Sequence, residues 1–381
     1  MAADDCAVLV GIARYFESST YPPLQGPVHD VASVYEWLIS KSGGDVPEAN
    51  IRKLVTDKGL FDNPNLKPED VDLSEWKPSL ASITSSVFSL IFDRHKRFIR
   101  RPNGRLYLYF SGHGFTNEKV GSGAALFTAE AGGDDHANLG GTLCAEALAN
   151  MRIFGQIVLI MDCCRDELSA SPYGRLNLTD AEADGAQRVP RLEIYAGPKG
   201  ARAQEGALTP DGPIAGYLTN AVLRALREMP PNVVGQISAN RLNDYISWNW
   251  SRLVPDGTEP PKPRIHPPFT DQTVMYFPSG REELVDQEFS VPVDRSPDFK
   301  VWLQSMAPNS ELPRNVGMFT DKIVTWVGSD PPIDIELSKP NDAGRQTFAL
   351  RLLAIPHDLQ MNVPDRTAPL IFTPGGGRVD L

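Results

Sequence analysis

Over the first two-thirds of the chain, short apolar runs alternate with segments of helical spacing. Cys6-Ala-Val-Leu-Val-Gly11, Leu106-Tyr-Leu-Tyr-Phe110 and Ile157-Val-Leu-Ile-Met161 are continuous apolar stretches of strand length, the pattern of strands buried on both faces. Leu192–Ala196 makes a weaker fourth. Val31, Val34, Trp37 and Leu38 share one side of a helix predicted over Val28–Leu38. Further helices are predicted over Leu80–Phe98, Leu143–Met151 and Tyr217–Leu226. Strand and helix alternation of this kind predicts an α/β fold with a mostly parallel sheet flanked by helices. Such sheets bind ligands at the carboxyl ends of their strands. Two turns fall there, Ser111-Gly-His-Gly114 and Asp162-Cys-Cys164.

Residues 165–190 are polar and unpatterned, and read as a long surface loop. The segment from Pro255 to Pro268 holds six prolines. That density removes backbone donors and forbids a central strand or helix. Val274-Met-Tyr-Phe277 reads as one last strand of a first domain spanning residues 1–280. Beyond it the character changes. Phe289–Val293, Ile323–Val327, Ile333–Leu337 and Thr347–Ala354 are short strand-like runs separated by turn residues. They predict a small β-rich domain over residues 281–381.

Composition excludes several classes. The balance of 37 basic and 48 acidic residues, −11 overall, lacks the basic face that phosphate-backbone binding needs, so no nucleic-acid partner is expected. No apolar run approaches the roughly 18 residues of a membrane helix, and no basic, apolar leader opens the chain. Cys6, Cys144, Cys163 and Cys164 form neither a disulfide framework nor a CxxC zinc pattern. Reduced thiols in a cytoplasm fit best.

The chemistry concentrates on His113 and Cys164. A thiol attacks only as thiolate and needs an imidazole beside it, and here two apolar strands each deliver one group at a carboxyl end. Glycines on both sides of His113 let the chain turn sharply and leave the Gly114 amide free to face a developing oxyanion. Adjacent residues of a strand face opposite ways, so only one of Cys163 and Cys164 can meet the histidine. Taken singly, His113 reads as a structural histidine and either cysteine as a small buried hydrophobe. Taken together they stand 51 residues apart, near the offset of about 50 found in caspases.

Tyr109-Phe-Ser-Gly-His-Gly114 and Ile160-Met-Asp-Cys-Cys164 resemble the two catalytic motifs of the caspase, metacaspase and paracaspase superfamily. Val8-Leu-Val-Gly-Ile12, Leu24-Gln-Gly-Pro-Val-His-Asp30 and Gly216-Tyr-Leu-Thr219 are similar to other segments of it. The resemblance covers about residues 6–250 and implies a caspase-like sheet and a cysteine endopeptidase of bacterial type. Its Asp-x-Cys pattern places the nucleophile at Cys164, with His113 as base. By the same resemblance Asp162 and Asp30 form the substrate pocket, which implies protein or peptide substrates cut after Arg or Lys, since paired carboxylates fork around a guanidinium. The competing reading makes Asp30 the N-cap of the helix that follows it.

The chain departs from the metacaspase pattern after the nucleophile, where Arg165-Asp166-Glu167 replace His-Ser-Gly. Many metacaspases need calcium. Glu130, Asp134 and Asp135 lie in a comparable region but lack the spacing of a calcium loop and read as solvated, so no cofactor is assigned. His29, His136, His266 and His357 show no metal-like spacing. Arg175 and Arg188 offer basic sites for self-cleavage in the 165–190 loop. Bacterial relatives are often effectors of anti-phage defence switched on by a small nucleotide or a partner protein, which the 281–381 region would sense. The rival function is a non-catalytic caspase-like scaffold.

Overall fold

The computed structural model describes residues 3–266 except 64, 66–70, 118–122, 133, 169–171, 177, 179–188, 208, 210, 211, 230–235 and 256. Beyond 266 it describes short strands, as backbone. Arg188 and His357 lie outside the described residues. Contacts divide the chain into one unit of Met1–Arg227 and Trp250–Gly280, and another of Glu228–Asn249 and Arg281–Leu381.

The first unit is built on a sheet of six strands. β1 (Cys6–Gly11), β2 (Ile51–Val55), β3 (Arg101–Gly112), β7 (Phe154–Cys163) and β9 (Arg191–Tyr195) run parallel in the order β9-β7-β3-β1-β2. The three intervening strands are β4 (Gly114–Thr116), β5 (Ala125–Phe127) and β6 (Asn138–Gly140), and β8 (Asp166–Glu167) follows β7. These four short strands form a second sheet, ordered β6-β5-β4-β8.

Helices cover both faces of the large sheet. α1 (Gly26–Ile39) and α4 (Tyr217–Glu228) lie on one side, where Trp37, Leu38, Val222 and Leu226 meet Tyr107 and Tyr109 around a small apolar cavity. α2 (Leu80–Ile91) and α3 (Gly141–Asn150) lie on the other, with Ile83, Val87, Cys144 and Leu148 in one core cluster with Val8, Leu108, Phe110 and Leu159. The alternation in Leu106-Tyr-Leu-Tyr-Phe110 therefore sends leucines one way and tyrosines the other, although both are buried. The mixed α/β architecture with a mostly parallel sheet is the one the periodicity predicts.

Two local expectations fail, and one edge strand appears that the periodicity does not mark. The helix predicted to reach Phe98 stops at Ile91, where Phe92 turns extended. Phe92 and Phe98 pair instead as the ends of a tight turn, their rings stacked 4.7 Å apart. The Asp93 carboxylate organises that turn by accepting the His95 and Arg97 amides. Its charged residues, Arg94–Arg97, could not have continued the apolar face. Within the proline-rich segment, β12 (Arg264–His266) pairs antiparallel with β9. It sits at the sheet edge, where only one side needs ladder partners and flanking prolines are tolerated. The start of the 165–190 loop is also a strand, β8, rather than irregular chain.

In the C-terminal unit a five-stranded sheet takes the order Val324–Gly328, Ile333–Leu337, Arg345–Leu352, Gln287–Pro292, Arg378–Asp380. Strands follow each of the four apolar runs predicted there. Replacing Leu108, fully buried in β3, by alanine removes a side chain from the middle of the larger core. Leu108→Ala should lower unfolding free energy by about 2–5 kcal/mol, read as a shifted denaturant midpoint, whereas Leu73→Ala, 53% exposed, should stay within about 0.5 kcal/mol of the parent.

Candidate active site

β3 and β7 run side by side with Ser111 opposite Asp162 and Gly112 opposite Cys163. His113 and Cys164 are the next residue on each strand. Pairing resumes just beyond them, with Phe115 of β4 opposite Asp166 of β8. Both side chains therefore leave the backbone at the same level. They line one pocket of about 140 Å³, whose wall also includes Asp30, Ser111, Asp162, Arg202, Glu205 and Gly216.

His113 is held from several directions. Its Nε2 lies 2.8 Å from the Pro22 carbonyl oxygen. A carbonyl can only accept, so Nε2 carries the hydrogen and the lone pair of the neutral ring sits on Nδ1. The His113 amide donates to the Tyr15 hydroxyl at 2.7 Å, and that ring packs 5.1 Å from the imidazole. A Cβ on Gly112 would come within 2.6 Å of the same hydroxyl, so glycine is needed for Tyr15 to reach. Burial lowers the imidazole pKa, while the Pro22 carbonyl and Glu205 pull it back up.

The two cysteines face apart, as strand alternation requires. Cys163 is buried, and a Cβ on Gly114 would strike its Sγ at 2.6 Å. Cys164 is half-buried in the pocket wall, its thiol 3.9 Å from the Ala203 carbonyl oxygen. Burial raises the Cys164 pKa, opposed by a backbone hydrogen bond with Ala203 and by Arg202, and reinforced by Asp166 and Asp162. Free protein thus rests with a thiol and a neutral imidazole. Gly114 itself is buried in β4 and is not among the pocket-lining residues, which run through Gly112 and His113.

Asp30 and Asp162 come together across 132 positions of sequence. Asp30 lies inside α1, not before it, and its carboxylate accepts from Ser111 Oγ at 3.0 Å and the Gly216 amide at 2.9 Å. It is therefore no helix cap. Asp162 accepts both the amide and the hydroxyl of Thr219, at 2.9 and 2.6 Å. A Cβ on Gly216 would sit 2.1 Å from Asp162 Oδ2 and 3.0 Å from Asp30 Oδ2, which explains the glycine and threonine of Gly216-Tyr-Leu-Thr219. Burial is the main force on both acids. It raises Asp30 well above the carboxylate range, with Asp162 adding repulsion, and it lifts Asp162 to about 6 against the two Thr219 bonds. Two buried neighbouring carboxyls cannot both ionise without a cation, so the pair titrates as a unit.

Glu205 is a third acid in the wall that sequence reasoning passed over. Its carboxylate accepts the Gln25 and Gly26 amides at 3.0 and 2.9 Å, serving the donor-rich start of α1. It belongs to β10 (Glu205–Ala207), which pairs with β11 (Ile214–Gly216). No motif or periodicity marks it. Nor could sequence find the Pro22 carbonyl, since every residue carries one. Beside them, Arg202 bonds Asp166 at 2.9 Å on the outer rim.

Arg165, the departure after Cys164, is buried with its guanidinium 4.4 Å over the Tyr195 ring and bonded to the Gly197 carbonyl. Its amide donates to Ala201 and its carbonyl accepts from Gly200. It anchors the 197–201 turn behind the pocket. Glu130 accepts the Leu80 amide at the start of α2, and Asp134 and Asp135 are exposed. Among the described residues no group of three or more His, Cys, Asp or Glu could hold a metal ion. His136 bonds Tyr21 and His266 packs on Tyr195. Among the described residues no helix is long and apolar enough to cross a membrane.

No family model matches the chain. A curated protein described as a probable protease, from a Desulfuromonadales bacterium, is 29% identical over 110 residues, which is 29% of this chain and 12% of that protein. Among solved structures, caspase-1 from Spodoptera frugiperda superposes over 74% of this chain and 91% of its own, with a TM-score of 0.40 and 11% identity.

Accessibility separates the four thiols. Under native conditions iodoacetamide should place a single adduct, on Cys164, and Cys164→Ala should abolish it in a peptide-mapped mass spectrum. Because the Cys164 pKa is raised, the rate should still be climbing where an ordinary thiol half-ionises, near pH 8.5. A plateau already reached in acid would reveal a preformed thiolate and contradict the resting state above.

Proposed function

We propose that this chain is a cysteine endopeptidase that cleaves after Arg or Lys, with Cys164 as nucleophile and His113 as acid and base. One observation carries the reading. A single pocket is lined by a thiol, an imidazole with its free nitrogen on Nδ1, and a buried pair of carboxyls. A lone histidine, a lone cysteine or a buried acid pair has an ordinary structural explanation, but their convergence in one cavity does not. The probable-protease relative is consistent with it.

On this reading the basic side chain of the substrate enters between Asp30 and Asp162, and supplies the cation those acids lack. His113 takes the Cys164 proton on Nδ1, and the sulfur attacks the carbonyl carbon to form a tetrahedral adduct. The family resemblance assigns its oxyanion to the amides of Gly114 and Cys164, although of the two residues only Cys164 lines the pocket. His113 then returns the proton to the leaving amine, and water hydrolyses the acyl-enzyme with His113 again as base. The Pro22 carbonyl favours the imidazolium that forms in between. The family resemblance extends the reading to a regulated bacterial defence effector, working where thiols stay reduced, with the C-terminal unit receiving a nucleotide or protein signal. Deletion of residues 281–381 tests that extension, which fails if regulation survives intact.

A fluorogenic panel ending in Arg, Lys or Asp decides the chemistry. Cys164→Ala should lower turnover of the Arg reporter by at least about 10,000-fold, while Cys163→Ala should largely spare it. The reverse pattern would overturn the assignment. Asp162→Asn should lower kcat/KM for Arg by about 10- to 100-fold, the worth of one charge-assisted contact. A cation is held by ionised acid, so KM should rise as pH falls through about 6, where the Asp30–Asp162 pair takes up a proton. Preference for the Asp reporter would refute the basic specificity.

A further inference from the structure

The Pro22 carbonyl orients His113, yet its own segment has little backbone to hold it. Pro22 and Pro23 have no N–H, and both are exposed. The backbone amides nearest them are those of Tyr21, which donates to Glu17, and Leu24, which donates to Ala13. Placement of the carbonyl therefore falls on the side chain of Tyr21, the buried residue immediately before it. Its ring packs 4.7 Å from Phe127, 5.5 Å from Tyr15 and 6.1 Å from His113. Its hydroxyl shares a 2.7 Å hydrogen bond with Nδ1 of His136, which comes from the turn before β6. Burial pushes the Tyr21 phenol up to about 12, so the hydroxyl keeps its proton, and the His136 tautomer decides which of the two groups donates in the bond they share.

We propose that Tyr21 and His136 are positioning residues, a tether that fixes the Pro22 carbonyl against His113 Nε2 and so sets the orientation of the base. The ring of Tyr21 fills space among aromatic neighbours, which phenylalanine would do equally well. Its hydroxyl reaches past them to His136, which is not among the pocket-lining residues. Without that bond the diproline keeps only the flanking Tyr21 and Leu24 amide bonds and the ring packing, and the imidazole loses its fixed partner. The proposal rests on the peptidase reading for its kinetic consequence but not for its geometric one.

Two measurements on the full chain test it. In steady-state kinetics on the Arg reporter, Tyr21→Phe and His136→Ala should each lower kcat about three- to tenfold, the span of one neutral hydrogen bond, with KM changed less than about twofold. The double variant should be no worse than either single one, because both break the same bond. In a Cys164→Ala background, the His113 imidazole, followed by histidine-selective NMR, should titrate at lower pH in Tyr21→Phe than in the parent, since the Pro22 bond favours the charged ring. Unchanged kcat, multiplying single effects, or an unmoved His113 titration would each overturn the tether. If the parent cleaves no reporter, the peptidase reading falls, and the NMR titration still decides whether the tether exists.

Discussion

The site depends on the register between two parallel strands. Leu106 faces Ile157, Ser111 faces Asp162 and Gly112 faces Cys163, an offset of 51 positions that the β4 and β8 pairing repeats at Phe115 and Asp166. His113 and Cys164 stand at the same offset, in the one break between the two ladders. Their spacing along the chain is thus the sheet register seen in one dimension. A slip of one residue would turn Cys163 toward the histidine and Cys164 into the core, and it would also part Asp162 from Thr219. The buried apolar residues of β3 and β7 forbid that slip, so the core that stabilises the fold also aligns the chemistry.

Electrostatics works against burial in the pocket, and the surrounding bonds show how the conflict is contained. Asp30 and Asp162 sit where desolvation penalises a charge, and each is compensated by fixed donors, Ser111 and the Gly216 amide for one and Thr219 for the other. Those donors come from the end of β3 and from the β11 to α4 junction, so the acids clip elements together as well as lining a cavity. Glu205 makes a third such clip, from β10 to the start of α1. Arg165 solves the opposite problem, a buried cation, by stacking on Tyr195 and binding the Gly197 carbonyl.

What could be read from sequence follows the physics of burial. β1, β3 and β7 are packed on both faces, so they appear as unbroken apolar runs. β2 lies at the edge, where Arg52 and Lys53 interrupt the pattern, and it escapes notice. The helix Ala239–Leu253 escapes too. The helix predicted to Phe98 overshoots α2 because Phe92 continues the i,i+4 spacing from Phe88 while pairing with Phe98 across a turn. Within the site, His113, Cys164, Asp30 and Asp162 are side chains of distinctive type in recognisable contexts. The Pro22 carbonyl is backbone, and Glu205 and Tyr15 matter through contacts between distant segments that no local pattern encodes.

The resting protonation state ties recognition to reactivity. Burial holds Cys164 as a thiol and His113 as a neutral ring, and the negative charge of Asp162 is among the forces keeping the thiol protonated. On the proposed reading, an arriving guanidinium or ammonium compensates that charge at close range in a cavity of low dielectric, where the effect is large. Removing a repulsive anion makes the thiolate easier to form, while the Pro22 carbonyl still favours the imidazolium. The acids that select a cation would then also release the nucleophile when the cation is in place. An enzyme so arranged keeps its sulfur inert toward adventitious electrophiles until a substrate of the right charge is bound.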